Sequence, residues 1–402
     1  MLEHLIPSRR TAGGEDPIVA LIAEGKRRST AGEPVINTAL GTLMDDRGQL
    51  VIHEAILDLW RELTPLEVAP YAPLEGDPAY LKALVQRYWP KLESPGIAFA
   101  TPGGSGALAL SARSFLEPGM SILSAAPYWN PYVFLAAEAG CRIEPAPFKT
   151  GGKPLDLDRW SRQAKTLMER QERLLVWLNE PCHNPTGLSL DHDERAGLLD
   201  ILADQADHGP VTLLLDGAYL DYTADPAHVR TALDQYADFA ERGKVLVGAA
   251  LSISKAMTLY GARGGALVFP WCVDPTLSRA LDLECRGLWS AAPKAPQSLV
   301  VRLAQDGKRQ EKLNAELRHW SEVLESRAVA LDSSLRAQGL AGSSWHGGFF
   351  VTLPAETPTA VAERLRRQGV FVLPVSTGIR VGICALRAAD APSFAAALNN
   401  AG

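Results

Sequence analysis

Apolar positions along this chain of 402 residues fall into two rhythms. Through the middle run short, nearly unbroken apolar stretches: "SILSAA" at 121–126, "RLLVWLN" at 173–179, "VTLLLD" at 211–216, "KVLVGAAL" at 244–251 and "GALVF" at 265–269. They are short for helices and too continuous for strands with one wet face, so they predict strands buried on both sides. Between them, "SGALALSARSFL" and "HDERAGLLDILADQA" have helix length and spacing. Buried strands alternating with helices predict an α/β domain with a mainly parallel sheet flanked by helices, its ligands bound beyond the carboxyl ends of the strands.

The rhythm then changes. "RQEKLNAELRHWSEVLESRAVALDSSLRAQ" reads as one long charged amphipathic helix, and "GGFFVTL", "AVAERLRRQ" and "IRVGICAL" as a short β/α/β section. These predict a smaller α/β domain hinged on the long helix. The first 50 or so residues, with "EPVINTALG" and "DDRGQLV", are rich in turns and suit either domain. The expected division is a large domain at 52–300 and a small one built from 1–51 and 301–402.

Composition narrows the partners. A net charge of -6 gives no overall basic field to attract nucleic acid or anionic membrane, which leaves small molecules. No apolar run approaches a membrane span and "MLEHLIPSRRTAGGEDP" has no leader-like core, so a cytoplasmic protein is expected. Cys141, Cys182, Cys272, Cys285 and Cys384 are odd in number and far apart, and the histidines are scattered. Neither a disulfide framework nor a metal site is expected.

Polar residues gather just after the predicted strands. "TPGGSGALAL" opens a helix with Gly103, Gly104, Ser105 and Gly106, where bare N–H groups and the helix dipole suit a phosphate. "APYWNPY" offers Trp129 for stacking, "LNEPCHNPTG" offers Asn184, and "LLLDGAYLDY" ends its strand on Asp216, a carboxylate that needs a cationic or N–H partner once buried. In "LSISKAMTLYGARGG", Lys255 follows an apolar strand, where lost water contact favours the nucleophilic amine. An amine, a carboxylate, an amide with a nearby tyrosine, a flat aromatic and a phosphate cup together complement pyridoxal 5'-phosphate.

These motifs resemble, in the same order, the signatures of class I aminotransferases of fold type I, in the aspartate and aromatic amino acid branch. The resemblance runs from about "INTALG" to "RVGICAL". It implies a seven-stranded large domain and a homodimer. It further implies that Lys255 forms the Schiff base, Asp216 pairs with the ring nitrogen, Asn184 and Tyr219 hold the ring oxygen, and Trp129 stacks on the ring. The phosphate would be held by Gly104, Ser105, Gly106, Ser252, Ser254 and Arg263, joined by Tyr71 of a neighbouring subunit. On the substrate side it implies that Arg380 clamps the α-carboxylate beside Gly41, with Trp129 and Asn184 near by, while Arg286 reaches across the dimer to a second carboxylate.

Two departures bear on specificity. Met44 in "ALGTLMDD" stands where the aspartate branch resembles "GxYKD", and Ser105 looks more like the aromatic branch. Both lean towards an aromatic donor paired with a 2-oxo acid such as 2-oxoglutarate, with an aspartate enzyme as the alternative. The expected reaction is transamination by Schiff-base exchange and a 1,3-proton shift, with Lys255 as the proton carrier. The same residues also serve other reactions of the cofactor. "SISK", "YWN" and the "KTG" at 149–151 mimic penicillin-recognising serine hydrolases, but in the wrong order along the chain. A regulator on this fold would need a DNA-binding domain, and the residues before "INTALG" are too few for one.

Overall fold

The computed structural model describes His4, residues 17–149 and residues 153–401. Apart from His4 and Pro17, the stretch read for a leader lies outside the described residues, as do the last two residues of the "KTG" triplet. In chain order the strands are β1 (Ile36–Asn37), β2 (Ile97–Pro102), β3 (Ser121–Ala126), β4 (Arg142–Pro147), β5 (Leu174–Leu178) and β6 (Val211–Asp216). They continue with β7 (Leu246–Ser252), β8 (Gly264–Phe269), β9 (Phe350–Pro354), β10 (Val370–Phe371), β11 (Leu373–Val375) and β12 (Gly378–Gly382).

The chain divides into two compact units. The larger, Thr42–Ser326 with Ser344–Val351, holds a seven-stranded sheet in the order β2-β8-β7-β6-β5-β3-β4. β3 to β7 pair in parallel, and β8 runs antiparallel to both of its neighbours. All residues of β5, β6 and β8 are buried, which explains their unbroken apolar sequences. β2 and β4 went unread in the sequence: β2 runs directly into the glycine turn, and β4 is half wet, with Arg142 and Pro145 exposed.

The smaller unit comprises the residues up to Gly41, Arg327–Ser343 and Thr352–Gly402. It holds the parallel pair β1–β10 and the sheet β11-β12-β9. Residues 42–51, 301–326 and 344–351 group with the larger unit, whereas the sequence pattern assigned them to the smaller. Specific bonds account for this. Tyr260 Oη accepts from Leu43 N at 2.9 Å, Arg302 grips Glu67, and Arg309 Nη2 lies 2.7 Å from Glu62 Oε1. Glu316 accepts the N–H groups of Glu54 and Ala55, so a carboxylate caps the helix Glu54–Glu62. The helix Gly307–Ala337 therefore contributes its first part to the larger unit, while Arg327 donates to the Cys384 carbonyl in the smaller. Among the described residues no helix is long and apolar enough to cross a membrane.

Candidate active site

The larger unit gathers its polar side chains at the carboxyl ends of β5, β6 and β7. Asp216, the last residue of β6, is 6% exposed. Its Oδ2 accepts from Tyr132 Oη at 2.7 Å and its Oδ1 from Ala218 N at 3.2 Å. Burial pushes the carboxyl above its usual range, and the Tyr132 hydroxyl, the Ala218 N–H and the charge of Lys255 pull it back.

Asn179, one residue beyond β5, ties this corner together. Its Nδ2 donates to the Asp216 carbonyl at 2.8 Å and its Oδ1 accepts Asn184 N at 2.6 Å. The buried Asn184 lies 3.3 Å from Tyr219 Oη through Nδ2, and its Oδ1 has no partner among the described residues. A hydroxyl both donates and accepts, so turning the amide over keeps the bond to Tyr219 and aims two N–H donors at the open position. An oxygen on a bound ring would satisfy that donor.

Lys255 lies on the short helix Ile253–Ala256 that follows β7, with Ser252 as its N-cap. Its Nζ sits 4.8 Å from the ring centre of Tyr260, 5.5 Å from Phe349 and 5.9 Å from Tyr219. Its carbonyl accepts from Tyr222 Oη at 3.1 Å, and the same hydroxyl meets His53 Nε2 at 3.1 Å. Because Tyr222 spends its proton on that carbonyl, His53 Nε2 is the donor to it. Burial lowers the His53 pKa to about 4, which keeps the ring neutral at ordinary pH.

The anion cup is made where β2 ends and the helix Gly103–Phe115 begins with no side-chain cap. Gly103 has φ +72°, and a Cβ on Gly104 would come within 3.4 Å of Ser252 Cβ. Arg263, exposed and held at φ 56°, places Nη1 2.9 Å from the Tyr260 carbonyl and 3.4 Å from Ser254 Oγ. An arginine in left-handed backbone stores local strain, which points to a functional constraint. Bare helix N–H groups, two serines and a guanidinium form a fitting phosphate cradle.

The structure thus brings together Gly104, Ser105, Gly106, Asn184, Asp216, Tyr219, Ser252, Ser254, Lys255 and Arg263 within one unit, with partly buried Trp129 packed on Tyr132. Arg380 belongs to the smaller unit. It is 8% exposed and its Nη2 donates to the Ala39 carbonyl at 3.1 Å, two residues before Gly41. Tyr71 is 94% exposed, and the exposed Arg286 bonds its own neighbour Ser290 at 2.9 Å. Met44 bridges to Leu50 in the larger unit. Sequence reasoning missed Tyr132, Asn179, Tyr222, His53 and Phe349. Only Asn179 carried a positional signal, as the polar residue ending "RLLVWLN".

The family model for aminotransferase class I and II matches residues 33–398. The chain belongs to this aminotransferase family. An aromatic-amino-acid aminotransferase of Pseudomonas aeruginosa is 26% identical over 360 residues, 86% of each chain. An aspartate aminotransferase of the same organism is 29% identical over 277 residues, 63% of this chain and 62% of its own. Among solved structures, an aminotransferase from Anaerococcus prevotii superposes with a TM-score of 0.88 at 27% identity, covering 96% of both chains.

Proposed function

We propose that this aminotransferase uses pyridoxal 5'-phosphate to transfer an amino group from an amino acid, with aromatic donors favoured, to a 2-oxo acid such as 2-oxoglutarate. The observation that supports this reading is one linked set of contacts: Asn179 ties Asp216 to Asn184, Asn184 meets Tyr219, Lys255 Nζ lies 5.9 Å from the Tyr219 ring, and Ser252, which caps the Lys255 helix, packs against Gly104 of the uncapped turn. The residues fit the cofactor: Asn184 has an unsatisfied polar atom, Asp216 retains acceptor capacity, and the cradle suits a phosphate. When bound, pyridoxal 5'-phosphate supplies an aldehyde for the amine and a ring that accepts an electron pair.

Lys255 would hold the cofactor through its amine, and its Nζ would then serve to take the substrate Cα proton and return it. Asp216 would hold negative charge against the ring nitrogen, and Asn184 with Tyr219 would fix the ring oxygen. Gly104, Ser105, Gly106, Ser252, Ser254 and Arg263 would hold the phosphate, and Trp129 would cover the ring. Arg380, beside Gly41, binds the α-carboxylate.

A second copy of the chain belongs to this reading. Leu50, Ile52, Trp60, Leu66, Val68 and Tyr71 are exposed large apolar residues in one short segment, which supports a homodimer that adds Tyr71 and Arg286 to the neighbouring site. A strictly monomeric active enzyme would remove those two roles. Met44, where the aspartate branch resembles "GxYKD" with its lysine, supports the aromatic preference.

The test is the visible spectrum of cofactor-loaded protein before and after phenylalanine, tyrosine or aspartate is added without an oxo acid. Loss of the yellow colour with release of the 2-oxo acid is expected, fastest with an aromatic donor. Aspartate as the most efficient donor would select the aspartate alternative, and a protein that stays colourless after reconstitution would overturn the proposal.

A further inference from the structure

We propose that Tyr132 is a positioning residue that holds the Asp216 carboxylate ionised and aimed at the cofactor ring, and couples it to the stacking residue Trp129. This rests on the function proposed above.

Tyr132 lies on the first turn of the helix Pro131–Glu138, 84 residues away in sequence from the carboxylate it serves. Its ring is 1% exposed and is clamped edge-on by two aromatics. Trp177 lies 5.2 Å away at 67° and Trp129 lies 5.8 Å away at 82°. Trp177 is itself pinned by Nε1 donating to Ser111 Oγ at 3.0 Å. The hydroxyl therefore has little freedom except along its 2.7 Å bond to Asp216 Oδ2, a short bond of the charge-assisted kind.

A phenol is suited to this task because it stays a donor. Burial, with Asp216 next to it, drives its pKa far above the usual range, so it keeps its proton throughout the working pH range. The bonds from Tyr132 and Ala218 use one acceptor position on each Asp216 oxygen and leave the others for the ring nitrogen. Without the hydroxyl, a carboxylate at 6% exposure would lose its only side-chain donor among the described hydrogen bonds. It would then be drawn towards the neutral acid, which no longer opposes a ring cation.

The experiment is a titration of apo-protein with pyridoxal 5'-phosphate, followed by fluorescence, for the wild type, Tyr132→Phe, Asp216→Asn and the double variant. A hydrogen bond to a charged group predicts an affinity loss of roughly tenfold to a hundredfold for Tyr132→Phe in the wild-type background. In the Asp216→Asn background the same change should cost less than about twofold, because the charge it serves is gone. Unchanged affinity in Tyr132→Phe, or an equal loss in both backgrounds, would overturn the proposal and leave a packing role. A wild-type protein that does not bind the cofactor would instead overturn the function proposed above.

If Tyr132→Phe does not fold, infrared difference spectroscopy between the wild type and Asp216→Asn at pH 7 decides. Loss of a carboxylate band is expected. Loss of a protonated-acid band would show that Tyr132 does not hold the charge.

Discussion

Glu180 offers a stringent test of how the loop that carries Asn184 is held. It follows Asn179 and is 0% exposed, with Arg195 beside it at 1%. Arg195 Nη2 lies 2.9 Å from Glu180 Oε1 and its Nε lies 3.2 Å from Oε2. Tyr236 Oη donates to Oε2 at 2.5 Å and Leu190 N to Oε1 at 3.3 Å. The carboxylate thus closes the loop 180–190 that carries Asn184.

Glu180→Ala removes the counter-charge and leaves the Arg195 guanidinium buried. The expected loss is about 3–5 kcal/mol, because the desolvation cost of the arginine is then uncompensated. Replacing both partners, Glu180→Leu with Arg195→Met, removes the stranded charge and should cost about 1–3 kcal/mol for the orphaned Leu190 and Tyr236 groups. Urea denaturation followed by circular dichroism, with unchanged slopes, measures both. If the single variant loses less than about 1 kcal/mol, or the double loses as much as the single, the pair does not hold the loop as argued. Cofactor affinity should fall with stability in the single variant, since Asn184 rides on the loop.

Lys255→Ala should fold normally and lose at least about a hundredfold in steady-state transamination, as expected for a missing general base; normal turnover would sink its assignment. Gly265→Ala should release the cofactor on dialysis and cost about 1–3 kcal/mol, because a Cβ there would lie 2.4 Å from the Gly103 carbonyl carbon and force two backbones apart at the anion cup. A thermal melt and a cofactor count check both effects. Stability should also fall as pH drops from about 6.5 to 4, by on the order of 2–3 kcal/mol from His53. In that window the unfolded chain binds a proton that the buried neutral ring refuses, so acid favours unfolding. His53→Gln should flatten this part of the profile, and an unchanged profile would contradict it.

Much of the candidate site was legible because its polar residues sit at ends of strands that the apolar runs mark directly. Asp216 closes "VTLLLD", Lys255 follows "KVLVGAAL", and the glycines of "TPGGSG" mark a helix entry with no side chain in the way. Those features are local, since period, run length and turn chemistry are written in neighbouring residues. Arg380 and Gly41 came from resemblance, and the structure places both in the smaller unit with the Ala39–Arg380 bond between their segments.

What only the tertiary structure decided is which distant groups meet. Sheet order β2-β8-β7-β6-β5-β3-β4 and the antiparallel sense of β8 cannot be read from strand sequences that are all uniformly apolar. The donor to Asp216, the Asn179 tie and the Tyr222–His53 support of Lys255 join segments tens to hundreds of residues apart. A tyrosine in "YWNPY" looks the same on a surface helix as beneath a carboxylate. The sequence determined which groups the chain could offer and where each element would end. Packing decided which of them became partners, because a hydrogen bond is set by tenths of an ångström that arise only once the sheet is paired and its helices are seated.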